Sequence, residues 1–208
     1  MLVKITSIFN ILPSLLNRAD YLKTPRAYGT RSFKKGRKYD IDLTPYFEKF
    51  LRDKWEGDVD FSRYHIYLSH RSRVCNYKGV YRDALFSLIL VITNSVNTEG
   101  YPIACIGFDI QPDSKSILVE QIQGVKGGLP YLGQFRWEKM LLKIVIDWAR
   151  ENRFSHVKVI RAQDCTYWSQ ENDEKNQRLY MKYDVTAKRM KFKYDEEQKV
   201  YVLDLTQN

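Results

Sequence analysis

Only three cysteines occur in the 208 residues, Cys75, Cys105 and Cys165, and no two stand in a C-x-x-C spacing. An odd, scattered set argues against a disulfide framework and against a cysteine-built zinc site, and it fits a reducing, cytoplasmic setting. No apolar run approaches the eighteen or so residues that a spanning helix needs, so the sequence reads as a soluble protein with no membrane partner. The opening MLVKITSIFNILPSLLNRADYL is apolar only in patches, broken by Lys4, Asn10 and Pro13, and no A-x-A cleavage pattern follows it. It reads as an amphipathic docking segment. Internal repeats and low-complexity tracts are also missing.

Histidine is as scarce as cysteine. His65 and His70 are five residues apart, which on a strand sends them to opposite faces, so a metal site shared by them and the nearby Cys75 would need a bend in the strand. His156 follows a helix end, where it caps or faces solvent. Three histidines in these contexts build no Ser-His-Asp triad, and no metal is expected.

What is abundant is apolar and basic. A hydrophobic content of 44% suits a packed core in a chain of this length, while 34 Lys and Arg against 25 Asp and Glu give a net charge of +9. That surplus favours polyanionic partners or anionic cofactors without choosing between them. Lys23, Arg26, Arg31, Lys34, Lys35, Arg37 and Lys38 crowd around Pro25, Gly29 and Gly36, which reads as an exposed basic loop, either a solvated connection or a contact for nucleic acid. Thr44 as cap and Pro45 in the first turn start a helix expected to run to about Trp55. Residues 1–60 thus form a helical and basic-loop extension packed on an α/β domain of residues 61–208.

Within that domain RYHIYLSH reads as a strand, and LFSLILVIT as a buried strand in preference to a short helix. YPIACIGFDI and ILVEQIQGV, joined by QPDSKS, form an antiparallel hairpin whose long apolar flanks place it centrally. From Trp137 the period becomes helical, with Trp137, Met140, Leu141, Ile144, Val145 and Trp148 on one face and Glu138, Lys139, Lys143, Asp147 and Arg150 on the other. SHVKVI is a strand again. A polar connection, RAQDCTYWSQEND, precedes a second helix with Leu179, Tyr183, Ala187 and Met190 facing the core, and KFKYDEEQKVYVLDL closes as a hairpin. The CTYW aromatics beside Arg161 stack nucleobases, line an acceptor pocket or seal the sheet. Asp109, Glu120 and Lys126 invite comparison with hairpin nucleases, but Ile122 stands where such a site wants its lysine.

Three strands, a helix, a strand, a helix and two strands, from about Leu85 to Leu205, resemble the core of the GNAT acyltransferase superfamily, whose members transfer an acyl group from acyl-coenzyme A. WEKMLLKIVIDWARENRFSHVKVI and RLYMKYDVTAKRMKFKYD carry the likeness. The resemblance implies an α/β fold with a mixed, largely antiparallel central sheet and helices packed on it. Two of its central strands part after a bulge and offer main-chain amides to the pantetheine. It implies acetyl-CoA or another acyl-CoA as cofactor and a small-molecule or protein amine as acceptor. Gln123, Gly124, Val125, Lys126, Gly127 and Gly128 match the pyrophosphate-gripping turn; glycines let the backbone approach an anion at a helix start. LPYLGQFR then separates Gly128 from the helix, so the loop either folds back to bring Lys126 and Arg136 to a phosphate or simply turns the chain. Glu120 falls where the family often places its base, or is one polar residue on an alternating strand. For the acid, Ala187 occupies the usual Tyr position and Lys191 the usual Gly, leaving Tyr183, one turn earlier, as the substitute or as packing. The other functional class is a GNAT-like scaffold without acyl transfer, holding nucleic acid or a protein through its basic surface.

Overall fold

In Phe86–Ile92 all seven residues are buried, as expected of a strand covered on both faces rather than of an amphipathic edge. The computed structural model describes residues 37–39, 42–53, 55, 57–70, 79–81, 83–94 and 100–206. The strands are β1 (Arg37–Tyr39), β2 (Tyr64–His70), β3 (Phe86–Ile92), β4 (Tyr101–Gln111), β5 (Ser116–Gly124), β6 (His156–Ile160), β7 (Lys193–Asp195) and β8 (Val200–Asp204). The helices are α1 (Thr44–Phe50), the single turn α2 (Leu129–Leu132), α3 (Trp137–Glu151), α4 (Asp173–Tyr180) and α5 (Thr186–Arg189), the last two joined by a π turn over Met181–Val185. They build one sheet in the order β1-β2-β3-β4-β5-β6-β8-β7. Every neighbouring pair is antiparallel except β5 and β6, which α3 connects. The mixed, largely antiparallel α/β architecture is therefore present, with the element order read from the sequence.

α3 is the main packing helix because its apolar stripe is wide. The six residues expected to face inward are buried, and Leu142, Ile146 and Ala149 are buried too. The extra cover comes from α1, whose Tyr46, Phe47 and Phe50 join the same core, with Tyr46 Oη donating to Asp147 Oδ2 at 3.1 Å. Part of the expected polar face of α3 is thus an interhelical contact. Phe47 also meets Phe61, Tyr64 and Phe135 at centroid distances of 4.8 to 5.2 Å. Such offset and tilted pairs suit aromatic quadrupoles.

Three expectations about the early residues are corrected. α1 ends at Phe50, not near Trp55, because Leu51 leaves helical geometry and bridges to Phe135, while Arg136 donates its N–H to Phe50 O. Leu43, not Thr44, is its cap residue, and the Asp42 side chain accepts from Thr44 N. Arg37 and Lys38, read as loop, extend the sheet against Leu68 and Tyr67. The apolar opening and the basic residues from Lys23 to Lys35 lie outside the described residues.

Candidate functional site

Glu120 is the extra residue of a β-bulge. Gly107 lies opposite Gln121 and Phe108 opposite Val119, so one residue of β5 is skipped in the register with β4. The parallel ladder with β6 stops at the same place, its last pair being Val119 and Val159. Beyond that point β5 runs on for five residues, still held by β4 on its other side. Val125 donates its N–H to Ile103 O at 2.8 Å, so Gln123 and Val125 turn their main-chain groups to β4, and Ile122 and Gly124 turn theirs to the gap on the side where the ladder with β6 has ended.

Into this gap reaches Tyr183, from the π turn after α4. Its hydroxyl accepts the Ile122 N–H at 2.9 Å and donates to Glu120 O at 3.3 Å, and Cys165 Sγ lies 3.6 Å away. With the residue only 2% exposed, burial and then the neighbouring Cys165 push the phenol well above its ordinary range. Leu179, Tyr183 and Ala187 are buried as the helical period requires. The widened turn is tied by Thr186 Oγ1 donating to Met181 O at 3.3 Å, and it directs two successive side chains inward. π turns recur at functional positions. The second of these side chains, Asp184, accepts Ala162 N at 2.9 Å and Tyr201 Oη at 2.8 Å, binding the turn to β8 and to the loop after β6.

The turn after β5 is built mainly by the chain's own needs. Gln123 Nε2 donates to Gly79 O at 2.8 Å and its Oε1 accepts Tyr81 N at 3.2 Å, while buried Gln121 donates to Tyr81 O at 2.6 Å. These two side chains hold Gly79, Tyr81 and Asp83 against β5. Gly127 has φ +87°, which a glycine adopts freely, and its missing Cβ would meet open space. At Gly128 a Cβ would come within 2.7 Å of Ile103 O and 3.0 Å of Val125 O, so this glycine serves close backbone packing. Gly128→Ala is expected to lower stability by about 1–3 kcal/mol, read as a lower urea midpoint at unchanged m-value. The loop then forms α2 and returns to α1, where Arg136 Nη2 contacts Asp53 Oδ2 at 2.8 Å. Lys126 stays exposed on the turn.

Around the start of α3 the electrostatics favour an anion. Burial raises the Glu138 carboxyl, against the opposing pull of Lys182, Arg52 and Lys139. Burial lowers the Lys182 ammonium, which Glu138 partly restores, and its Nζ lies 6.0 Å from the centre of the Trp137 ring. Lys139 is lowered first by desolvation and then by Arg189 and Arg136. One half-buried acid therefore faces several cations there.

The other sequence candidates separate. Asp109 Oδ1 accepts Leu85 N at 2.5 Å, anchoring the start of β3. In CTYW, Cys165 is buried and Tyr167 is half-buried with its hydroxyl donating to Asp83 Oδ1 at 3.3 Å, so only Trp168 keeps an exposed ring. Among the described residues no three His, Cys, Asp or Glu are grouped to hold a metal. Cys75 lies outside them. Lys191 closes α5 with φ +67°, the conformation glycine adopts most easily, while Phe192 N bonds Ala187 O at 3.1 Å. Lys191→Gly is expected to raise stability by up to about 1 kcal/mol, the relief of left-handed strain offset in part by glycine's entropy. A thermal melt checks it. Asp83, Cys165 and Asp184 were not singled out for this site by sequence, since no local spacing ties them to Tyr183.

No family model matches the chain, and no curated protein matches it. Among solved structures it is similar to the GNAT family N-acetyltransferase YhbS from Escherichia coli, in complex with CoA, at 17% identity and a TM-score of 0.35. That likeness covers 57% of this chain, and the chain spans 58% of the length of the E. coli protein. A second N-acetyltransferase-type protein, from Lactobacillus plantarum, is similar at 15% identity over 78% of this chain and 85% of its own, with a TM-score of 0.35.

Proposed function

We propose that the chain is an acyl-coenzyme A dependent N-acyltransferase acting on a small-molecule or protein amine. The observation that carries the reading is the end of the β5–β6 ladder at Val119 and Val159, at the bulge of Glu120, beyond which β5 runs on to Gly124 while β6 ends at Ile160. A gap of this kind turns the Ile122 and Gly124 main chain toward whatever enters it, and an extended amide-bearing arm is matched by such an edge as a strand would be. Acyl-coenzyme A, when bound, supplies the acyl group as a thioester. Glu120 is assigned the proton of the acceptor amine, and the Tyr183 hydroxyl, an O–H donor at the bulge, is assigned the leaving sulfur. Gln123 to Gly128 are assigned to the end of the arm, with the exposed Lys126 as the turn's own cation for a diphosphate. Positioning alone supplies several kcal/mol toward joining two bound reactants, so a weak acid does not exclude the chemistry.

A thermal-shift titration tests this. Acetyl-CoA at about a hundred times its dissociation constant is expected to add about 2.7 kcal/mol of stability, or roughly 5–10 °C in Tm for a chain this size. No shift at millimolar acetyl-CoA and coenzyme A sinks the reading. The alternative, a GNAT-like scaffold holding nucleic acid or a protein, is supported by the Tyr183 hydroxyl lying on Ile122 N and Glu120 O, groups the cofactor's arm would need. It predicts RNA or DNA retention that falls steeply as salt rises, with no response to coenzyme A.

A further inference from the structure

We infer that Tyr183 is a displaceable stopper, its hydroxyl standing in the unliganded chain for a ligand carbonyl on the Ile122 N–H, so that the gap between β5 and β6 is self-closed until a ligand moves it. The inference rests on the acyltransferase reading and concerns the regulation of that same site.

The hydroxyl oxygen is 2.9 Å from Ile122 N, the distance at which an amide meets a carbonyl oxygen, and in the same position it donates to Glu120 O at 3.3 Å. One phenol thus serves both a donor and an acceptor that the sheet leaves facing the gap. The β5–β6 ladder has ended at Val119, three residues before Ile122. Without the hydroxyl, Ile122 would present a buried donor with nothing on it, which is why the position is filled in the resting chain. A ligand amide or thioester carbonyl can take the Ile122 N–H only if the phenol leaves it.

The carrier of Tyr183 is suited to moving. The π turn from Met181 to Val185 holds more residues than an α turn requires and is flanked by α4 and α5, each a short helix. The exposed side of that turn carries Met181, while Tyr183 and Asp184 are buried. Asp184 fixes one side of it through Ala162 and Tyr201. Tyr183 is held mainly by its hydroxyl and by packing, so the turn can shift about the Asp184 anchor while α4 and α5 stay docked. The Ile122–Tyr183 bond is in this sense an intramolecular competitor, and a competitor lowers apparent affinity by the fraction of time it occupies the site.

The experiment compares the full chain with Tyr183→Phe, titrating coenzyme A and acetyl-CoA by calorimetry. The variant keeps the ring and removes the competing oxygen. It is expected to bind about tenfold more tightly, the factor that one ordinary hydrogen bond is worth. If the parent chain binds and the variant binds no tighter, the stopper is refuted and the acyltransferase reading stands. If neither binds, both fall. A second measurement needs no variant: in the NMR spectrum of the parent chain, saturating coenzyme A is expected to move the Tyr183 ring resonances and the Ile122 amide together. Saturation that leaves the ring resonances where they were overturns the inference even if Tyr183→Phe fails to fold.

Discussion

Above about pH 10 the protein is expected to lose stability steeply, by an amount approaching 5 kcal/mol per pH unit if four buried tyrosines act together. Burial is the first cause at each. It pushes Tyr64 up to about 12, and it raises Tyr46, Tyr183 and Tyr201 further, with Asp147 adding to the rise at Tyr46 and Asp184 at Tyr201. In the unfolded chain all four titrate near 10. The sign follows directly: between 10 and the folded value the native state keeps protons that the unfolded state has released, so stability falls as pH rises. Each tyrosine contributes up to about 1.4 kcal/mol per unit, fully present below 10. For Tyr64 the contribution is gone by about 12. Lys182 works the other way, since its lowered ammonium favours the fold as pH rises, but that gain is complete near the ordinary lysine value of about 10.4. Urea midpoints measured at pH 9, 10 and 11 decide the matter, and a midpoint that stays level across them would falsify it.

Replacing Asp184 is expected to have the next largest effect. Its two carboxylate oxygens take one donor each, Ala162 N from the loop after β6 and Tyr201 Oη from β8. Bonds to a charged acceptor contribute about 1.5–3 kcal/mol apiece, and a buried donor left unmet adds its own desolvation penalty. Asp184→Ala should therefore cost about 3–5 kcal/mol and lower Tm by roughly 10 °C or more. Asp184→Asn keeps one acceptor and should fall between the two. Equal melting of the aspartate and alanine forms would mean that these bonds do not hold the π turn.

How much of this the amino-acid order disclosed depends on the range of the interaction. The apolar run of β3, six of its seven residues, the turn chemistry of PDS between β4 and β5, and the 3.6-residue stripe of α3 are local patterns, and each became the element its pattern describes. The inward direction of Leu179, Tyr183 and Ala187 was legible for the same reason. β1 was not, because a strand whose three residues are Arg, Lys and Tyr has no alternation to read, and only its ladder with β2 makes it one. Nor was the bulge at Glu120, which exists only as a mismatch with β4. The role of Gln121 and Gln123 in holding Gly79 and Tyr81 joins groups about forty positions apart, and the π turn has no composition of its own. Glu120 and Tyr183 could be named from the sequence, but not the bonds from the Tyr183 hydroxyl to the main chain at the bulge and two residues beyond it.

The lone parallel ladder has a thermodynamic consequence. β5 and β6 share four residue pairs, from Ser116 with His156 to Val119 with Val159, and this short seam is where the sheet from β1 to β5 meets the β6, β8 and β7 ribbon. A molecule sewn together so briefly should breathe there first, its last fifty residues coming away as a cooperative foldon at lower free energy than global unfolding. Deuterium would then reach the amides of β6 and β8 well before those of β3 and β4.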